Sequence, residues 1–316
     1  MLPSQSVGPV KPQVRCYYLG ESRTVVNIGD LLVPYLLEAL GYACAPRTVD
    51  DSQVINPGRC LLVVGSLLTR RDLERIAYPL DVWGCGWKGA EQSPSEREDV
   101  RFFAVRGPQT ASGLRLPSRV ALGDPALLLP YLIPLDVIPH GRTVVVPHFS
   151  RLSAMRASRR LALTGCDEVI SPMVLRPSRP RFQGYSSLKS SARLLFRRVH
   201  FGIQTRDLWD AVHRIAGAGF VLTGSLHGAI LAQAFGVPWA AYNDGYVDAP
   251  PKWTDWAAYL NIDLELVRTL KDGRRWWAQF GRLGCIRSLS PLLRAFPYEM
   301  RNPSARSLMQ NLTSCL

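Results

Sequence analysis

The sequence predicts an α/β fold built on mainly parallel β-sheets. Three observations predict it. Short apolar runs typical of buried strands recur along the chain, for example at 59–64 and 143–146. Segments with apolar residues at helical spacing, such as 207–216, lie between them. Glycine, proline, Asn or Asp marks most changes from one kind of segment to the other. Strands that alternate with helices indicate βαβ units, and therefore parallel sheets.

The predicted elements divide the chain into two similar α/β halves that face one another. The first domain covers 13–135, the second covers 141–285 after a proline-rich linker, and 286–316 is predicted to form a C-terminal helical tail. Asp30 is predicted to cap a helix at 31–40. The predicted strands are 13–19, 59–64, 80–83 and 102–105 in the first half, and 143–146, 168–171 and the start of the stretch 220–242 in the second.

Length and composition set further limits. The chain has 316 residues, 47% of them hydrophobic, which favours two domains over one. The polar start, broken by prolines, does not resemble a secretory signal. The most apolar segment, 125–139, is interrupted by prolines and is too short to span a bilayer. We therefore expect a soluble, cytoplasmic protein.

Several familiar signatures of chemistry do not occur in the sequence. The seven cysteines are scattered, without a C-x-x-C pair or a zinc-type histidine spacing, so we expect reduced thiols that mostly fill the core. No pair of carboxylates has metal-binding spacing, and no metal is predicted. The chain also has no Gly-x-Ser-x-Gly elbow and no P-loop, which disfavours hydrolase and kinase functions.

Positive charge is concentrated in one part of the chain. The net charge is +13, and the segment 151–206 carries twelve Lys and Arg residues against two acids. Such a segment attracts nucleic acid, anionic lipid or an acidic substrate, or it is simply a solvated surface. Within it, the basic insert 176–205 is predicted to form either a surface loop or a basic amphipathic helix suited to an anionic membrane. The insert lacks the regular aromatics of a stacking surface, which disfavours nucleic-acid binding.

The sequence around His227 indicates a ligand site. An apolar strand breaks at Thr223-Gly224-Ser225 and continues as a helix, so His227 lies in the first turn of a helix that leaves the carboxyl end of a strand. Ligands bind at that edge in open α/β sheets, and the helix start offers unpaired N–H groups to an anion. The alternative is that Thr223 or Ser225 caps the helix and His227 is a packed or solvated histidine.

Other candidates occupy equivalent positions. Arg106 lies where a strand ends and a helix begins, suited to holding phosphate or carboxylate, or pairing with an acid at the surface. Asp124 precedes proline and is typical of a helix cap. His148 follows the first strand of the second half and faces the same predicted cleft, although capping or packing is an equal alternative. Gly84–Gly89 matches G-x-G-x-x-G, but no suitable acid follows, so backbone lining a cleft is favoured over a dinucleotide site.

Taken in order, six segments resemble the polysaccharide pyruvyl transferase family. They run from Asn27 to residue 238, or to Trp256 with the segment Lys252–Trp256, and their order and spacing make the resemblance specific. Lys252 to Trp256 and the overall length look most like the succinoglycan-type exopolysaccharide ketal transferases. The six segments are Asn27-Ile28-Gly29-Asp30, Val82-Trp83-Gly84-Cys85-Gly86, Ala104-Val105-Arg106-Gly107-Pro108-Gln109-Thr110, Gly123-Asp124-Pro125-Ala126-Leu127, Val169-Ile170-Ser171-Pro172 and 220–238.

The resemblance implies two Rossmann-like domains facing across a cleft, in a GT-B-like arrangement. It implies that phosphoenolpyruvate, as donor substrate with no cofactor, gives its enolpyruvyl unit to two hydroxyls of a sugar. The products are a cyclic pyruvate ketal and phosphate. Two departures stand out: many members carry arginine where this chain has Ser225, and the basic insert 176–205 is longer than the usual connection.

These expectations assign roles to residues. His227 is expected to protonate the donor and His148 to accept a sugar hydroxyl proton. Arg106 is expected to clamp donor charge with help from N–H groups near Gly228, and Lys252 to compensate for Ser225. The full set of expected substrate-binding residues is Arg106, Gly228, Ser225, Lys252, Asn27, Asp30, Gly84 and Gly86.

The expected acceptor is a sugar, carried on a lipid-linked oligosaccharide, with peripheral contact to the inner face of an anionic membrane and no nucleic-acid partner. The alternative enzyme is a GT-B-type glycosyltransferase that uses a nucleotide sugar, because the fold is shared and a fold does not fix function.

Overall fold

The computed structural model describes residues 11–19, 23–45, 49–89, 97–153, 155–176, 205–281 and 288–314, together with Phe196, His200 and Ile203. Its strands are β1 (Gln13–Arg15), β2 (Val25–Asn27), β3 (Ala43–Ala45), β4 (Cys60–Leu62), β5 (Leu80–Trp83), β6 (Val100–Val105), β7 (Ala121–Leu122), β8 (Thr143–Val146), β9 (Glu168–Val169), β10 (Met173–Leu175), β11 (Phe220–Thr223), β12 (Trp239–Tyr242) and β13 (Leu266–Val267).

The described helices lie between these strands and at the carboxyl end of the chain. They are α1 (Ile28–Ala39), α2 (Arg70–Leu73), α3 (Pro108–Gly113), α4 (Leu129–Leu132), α5 (Ala157–Thr164), α6 (Leu208–Ala216), α7 (Leu226–Ala234), α8 (Pro250–Leu260), α9 (Leu270–Phe280), α10 (Ser290–Arg294) and α11 (Pro303–Ser314).

The first half of the chain builds one parallel layer. Strands β4, β5, β6 and β7 pair in that order, all parallel. The parallel pair β1 and β3 continues this layer beside β4, because Cys16 bridges Leu61 and Tyr17 N donates to Leu61 O at 3.0 Å. All-parallel strands are buried on both faces, which explains the continuous apolar run of β4.

The second half builds a five-stranded parallel sheet in the order β13-β12-β11-β8-β9. From β8 the chain adds β9 on one side of the sheet, and from β11 it adds β12 and β13 on the other side. The boundary between β8 and β11 is therefore a topological switch point. The strands on either side end at Val146 and Thr223, which are register partners. Side chains that follow these two residues therefore lie together, at the sheet edge where α/β proteins bind ligands.

Elements from each half also cross to the other. Strand β2 pairs antiparallel with β10, with Val26 opposite Val174. The carboxyl-terminal helix α10 returns to the first half, where the Trp83 indole N–H donates to Leu292 O at 2.8 Å. A single cluster of buried apolar side chains contains residues of both sheets, so the two layers share packing rather than meeting only at a surface.

The structure confirms the predicted α/β fold with mainly parallel sheets, one in each half. Strands β5 and β8 have the predicted bounds. The domain limits 13–135 and 141–285 stay predictions. The basic helix proposed within 176–205, apart from Arg176 and a few isolated residues, lies outside the described residues.

Three expectations were wrong. Asn27, not Asp30, caps the first helix: its extended backbone lets its side chain accept from Gly29 N at 3.0 Å, which leaves Asp30 in the first turn. Asp124, which we expected to open a leucine-rich helix, instead caps a 3₁₀ turn that is followed by the short α4. Cys16 and Cys44, brought together by the pairing of β1 with β3, form a disulfide instead of two thiols.

Candidate active site

The carboxyl edges of the two sheets meet, and most of the predicted site residues lie there. Arg106 follows β6, Asp124 follows β7, His148 follows β8, and His227 begins α7 after β11. Two of the contacts between the halves lie here: His227 Nε2 is 3.9 Å from Asp124 Oδ2, and Arg106 Nε is 3.4 Å from Asp255 Oδ2. The structure thus brings His227 and Arg106 to one buried location.

The turn before α7 positions His227. Thr223 Oγ1 accepts from Ser225 N at 3.0 Å and donates to Ser225 O at 2.7 Å, which closes the strand-to-helix turn. Ser225 occupies the N-cap, but its hydroxyl makes no capping bond within the described part of the chain. Gly228 N donates to Ser225 O at 2.9 Å, so this N–H is already used, and a Cβ on Gly228 would overlap the Thr223 hydroxyl. Glycine is therefore required there for packing.

The His227 ring is enclosed by the other half of the protein. It lies against the backbone of Gly29, where an added Cβ would overlap the ring. Within the described chain, its Nε2 atom has no hydrogen-bond partner. Burial, together with the positive charges of Arg106 and Lys252, lowers the pKa of His227 to about 3. In this state the imidazole is neutral and lies in a positive electrostatic potential.

Asp124 faces that ring as a buried carboxyl group. Its Oδ1 accepts from Ala126 N at 3.0 Å, which is the predicted cap. Its Oδ2 is buried and, as far as the described residues go, unpartnered. Burial raises the pKa of Asp124 to about 6, although the Ala126 N–H and the charge of Arg106 act in the opposite direction. Asp124 therefore holds a proton at mildly acidic pH.

Arg106 is held in place from both halves. Its Nη1 donates to Ser66 Oγ at 2.7 Å, and its guanidinium packs on Gly86, where a Cβ would overlap it. Asp255, its partner on α8, also accepts from Thr110 N at 2.9 Å and Thr110 Oγ1 at 2.7 Å. A buried arginine with this support keeps its orientation without an anionic ligand.

The remaining first-half candidates play different parts. Asn27 uses its side chain to cap α1. Gly84 has a φ of 101° and packs on the Pro125 ring, so it serves the backbone path behind the site. Asp30 is buried, and burial raises its pKa to about 7 against the attraction of Arg23 and Lys88.

A second polar cluster surrounds His148. Its Nδ1 lies 2.8 Å from Ser150 Oγ, and its Nε2 lies 3.5 Å from Asp248 Oδ2. Lys252 Nζ donates to the same Asp248 oxygen. The hydrogen bond from His148 and the charge of Lys252 hold the pKa of Asp248 well below its usual range. Burial lowers the pKa of Lys252, and Asp248 opposes this shift.

Sequence reasoning missed Asp248 and Asp255. Asp255 lies in the Lys252–Trp256 segment that carried part of the resemblance, but its partner Thr110 is 145 residues away. Asp248 precedes Lys252 by four residues, the spacing of an ion pair on one helix face, which was the available signal. Lys252 and Asp255 are three apart on α8, so this one helix serves both clusters.

Other features lie elsewhere or are absent from the described residues. A surface pocket of about 550 Å³ opens beside Arg142, Asp167 and Arg214, near the amino end of β8 and away from His227. Among the residues that the structure describes, no three or more His, Cys, Asp or Glu side chains group as a metal site. No helix in the described ranges is both long and apolar enough to cross a membrane.

Comparisons with known proteins show which family the chain belongs to. Over 211 residues, the chain is 25% identical to the succinoglycan biosynthesis protein ExoV of Rhizobium meliloti (strain 1021). That match covers 66% of this chain and 56% of the relative, little more than half of its length. A crystal structure from Listeria monocytogenes, assigned as a UDP-N-acetylglucosamine 2-epimerase, aligns over 97% of both chains at 13% identity with a TM-score of 0.41, too low to add to the fold. A family profile described as polysaccharide pyruvyl transferase matches residues 27–245. The chain therefore belongs to the polysaccharide pyruvyl transferase family.

Proposed function

We propose that the protein transfers pyruvate from phosphoenolpyruvate to two hydroxyls of a sugar in an exopolysaccharide repeat unit, forming a cyclic pyruvate ketal. Family membership and the similarity to a succinoglycan biosynthesis protein support a pyruvyl transferase. One structural observation supports the donor: Arg106 and Lys252 both depress the pKa of buried His227, so the space around its ring has a positive potential. Such a potential suits a small donor that carries phosphate and carboxylate groups.

Arg106 is the group that binds the donor's negative charge. Its guanidinium is buried and oriented by Ser66 and Asp255, and its Nε makes no hydrogen bond within the described residues. A planar guanidinium can bind a carboxylate or phosphate through two parallel N–H bonds. Because Ser225 replaces the arginine that many relatives carry, Lys252 provides the second positive charge in this proposal.

The proposed reaction keeps protons in balance. His227 protonates the methylene carbon of phosphoenolpyruvate, which becomes a methyl group and leaves an oxocarbenium-like carbon. One sugar hydroxyl attacks that carbon and loses its proton. Phosphate then leaves by cleavage of its bond to that carbon, and the second hydroxyl attacks. Of the two hydroxyl protons, one replaces the proton given to carbon and the other leaves on phosphate.

His227 must gain a proton before it can act as an acid, and Asp124 is its source. The free protein favours neutral His227 and protonated Asp124 at mildly acidic pH. Donor binding brings negative charge beside the ring and raises the pKa of His227, so the proton of Asp124 moves to His227. Asp124 then remains as the carboxylate that stabilises the imidazolium, over the 3.9 Å separation.

His148 is the proposed base for the sugar hydroxyl. The Asp248 carboxylate lies 3.5 Å from His148 Nε2, the arrangement of other histidine–carboxylate pairs that take part in proton transfer. Lys252 donates to the same Asp248 oxygen that faces His148 and keeps that carboxylate ionised. The acid and the base thus lie at the ends of neighbouring strands β11 and β8.

The acceptor and location are part of the same proposal. The acceptor is a lipid-linked oligosaccharide, and the protein works in the cytoplasm at the inner face of the membrane, where the basic insert contacts anionic lipid. Deleting residues 181–201 would then weaken binding to vesicles that contain anionic lipid. Unchanged binding would exclude the membrane role of the insert.

Titration with two classes of donor tests the function. We expect phosphoenolpyruvate to bind, with binding lost in the Arg106→Gln variant. We expect nucleotide sugars to bind far more weakly. Tight binding of a nucleotide sugar without binding of phosphoenolpyruvate would instead favour a GT-B-type glycosyltransferase.

A further inference from the structure

Two aromatic rings stand half-exposed beside His148. Phe149 is 47% exposed and Tyr246 is 42% exposed, whereas His148 between them is buried. The ring centres of Phe149 and His148 are 4.3 Å apart, and those of Tyr246 and His148 are 5.4 Å apart. Exposed large apolar side chains that cluster at a polar site mark a binding surface more often than rings scattered singly.

The loops that carry these rings are fixed by buried charges. Phe149 opens a 3₁₀ turn after β8, and Tyr246 lies on the loop after β12. Asp244 joins the two loops, because its carboxylate accepts from Arg160 Nη1 at 2.8 Å and from Arg151 Nε at 3.3 Å. The exposure of both rings is therefore a property of a supported surface rather than of free loops.

Polar groups line one side of this surface. Tyr246 Oη donates to Asp248 Oδ1 at 3.4 Å, and the other Asp248 oxygen faces His148 Nε2 at 3.5 Å. A pyranose ring has the matching shape: its C–H groups form an apolar face that packs on an aromatic ring, and its hydroxyls lie around the edge. Sites for small ligands typically combine an apolar lining with a few placed polar groups in this way.

We infer that Phe149 and Tyr246 form the subsite that binds a pyranose ring of the acceptor, with a hydroxyl of that ring directed at His148. This inference rests on the proposed function, in which His148 is the base and the acceptor therefore lies on the β8 side of His227. A flat apolar partner such as a membrane fits less well, since Asp248 and Ser150 lie beside the rings.

Saturation-transfer difference NMR with simple sugars tests the subsite. The probes are methyl β-D-glucopyranoside, methyl β-D-galactopyranoside and the disaccharides cellobiose and lactose. We expect at least one probe to bind, with stronger saturation of the protons on one ring face. In Phe149→Ala or Tyr246→Ala, its dissociation constant should rise about tenfold, the change given by about 1.4 kcal/mol of lost contact.

A matched control keeps the test specific. Tyr131 is 51% exposed in the first half, so Tyr131→Ala removes a similarly exposed ring and should leave sugar binding unchanged. No saturation transfer to any probe, or equal affinities in all three variants and the wild type, would overturn the subsite. Saturation of an anionic vesicle's lipid protons that depends on Phe149 would assign the surface to membrane instead.

Donor binding separates this inference from the proposed function. Phosphoenolpyruvate affinity, measured by calorimetry, should be the same in Phe149→Ala, Tyr246→Ala and wild type. Sugar binding that depends on the rings without binding of phosphoenolpyruvate would retain the subsite and reject the donor. Binding of phosphoenolpyruvate without ring-dependent sugar binding would retain the donor and reject the subsite.

Discussion

Asp124 Oδ2 and His227 Nε2 lie 3.9 Å apart at the junction of the two halves, and neither atom has a hydrogen-bond partner among the described residues. Buried polar atoms without partners are costly and rare in folded proteins. Here the two unpartnered groups are Asp124 and His227, and burial favours the neutral form of each. A pair of this kind can transfer a proton when a charged ligand arrives, which is the basis of the mechanism proposed above.

The pH dependence of kcat/KM should report this pair. Because the pKa of Asp124 is raised to about 6, the pair holds its proton below that pH and loses it above. We expect kcat/KM for phosphoenolpyruvate to fall about tenfold per pH unit above about pH 6, since this parameter reports the free enzyme. Asp124→Asn should remove that limb and lower the rate. Donor phosphate titrates in the same range, so the comparison of the two proteins isolates Asp124; superimposable profiles would exclude Asp124.

Two glycine substitutions should displace the site's side chains without removing them. A Cβ at Gly29 overlaps the His227 ring, and a Cβ at Gly86 overlaps the Arg106 guanidinium. We expect Gly29→Ala to lower kcat and Gly86→Ala to raise the donor KM, each by about tenfold or more, because misplaced groups lose catalysis steeply. Gly273→Ala is the control, because its Cβ would meet side-chain atoms at 3.1–3.5 Å, which is close packing without the overlap below 3.0 Å found at Gly29 and Gly86. Steady-state kinetics that match the control in both variants would mean that these packing contacts do not position the site.

Asp30 should reduce stability at neutral pH. Its folded pKa of about 7 exceeds the ordinary value of 3.8, so the folded state binds a proton more tightly than the unfolded state. Its contribution to stability is full at low pH and is lost as pH rises through about 7. We expect Asp30→Asn to raise the free energy of unfolding at pH 8 by about 1–3 kcal/mol, with little change at pH 4. Urea unfolding at both pH values measures this.

Asp81→Asn should change the free energy of unfolding in the opposite direction in the same experiment. Asp81 is buried and paired with Arg59 and Arg101, so its loss should destabilise the protein at pH 8. A gain of stability in Asp30→Asn that is equal at pH 4 and pH 8 would contradict the proton-linked explanation.

Lys252 should tune both donor binding and the His227 proton. Lys252→Met keeps the apolar stem and removes the charge that lowers the pKa of His227. We expect the donor KM to rise about tenfold or more and the His227 pKa to move upward, measured by NMR of the imidazole nitrogens. Lys271→Met, on the exposed part of α9, is the control. An unchanged donor KM would leave Ser225 without compensation and would assign Lys252 to a structural pairing with Asp248.

The sequence could predict the sheet strands because buried parallel strands leave a local apolar pattern. Leu80–Trp83 and Thr143–Val146 have the predicted bounds for this reason. Helix caps were harder, because Asn27 and Asp30 are both good capping residues and only the backbone at Asn27 decides between them. The Cys16–Cys44 disulfide depends on the pairing of β1 with β3, which no local pattern reveals.

For the site, too, features with a local sequence pattern could be predicted, and features that depend on distant contacts could not. His227, Arg106 and His148 were identifiable because each follows a strand, and the structure places all three at the facing sheet edges. The acidic partners of Arg106 and His148 could not be identified from the sequence, because the pairs Arg106–Asp255 and His148–Asp248 join residues far apart in the chain. The protonation state of His227 could not be predicted from the sequence either. Its pKa is lowered because Gly29 and neighbouring residues of the other half bury the ring.

Mass spectrometry of the exopolysaccharide made by cells with and without this protein tests the central claim most directly. Cells with the wild-type protein should make polymer that carries a pyruvate ketal, and cells without it should not. Cells with folded His227→Gln should make far less, because loss of a general acid typically lowers rates by roughly 10²–10⁴-fold. Equal ketal content with and without the protein, or full ketal content with His227→Gln, would contradict the account.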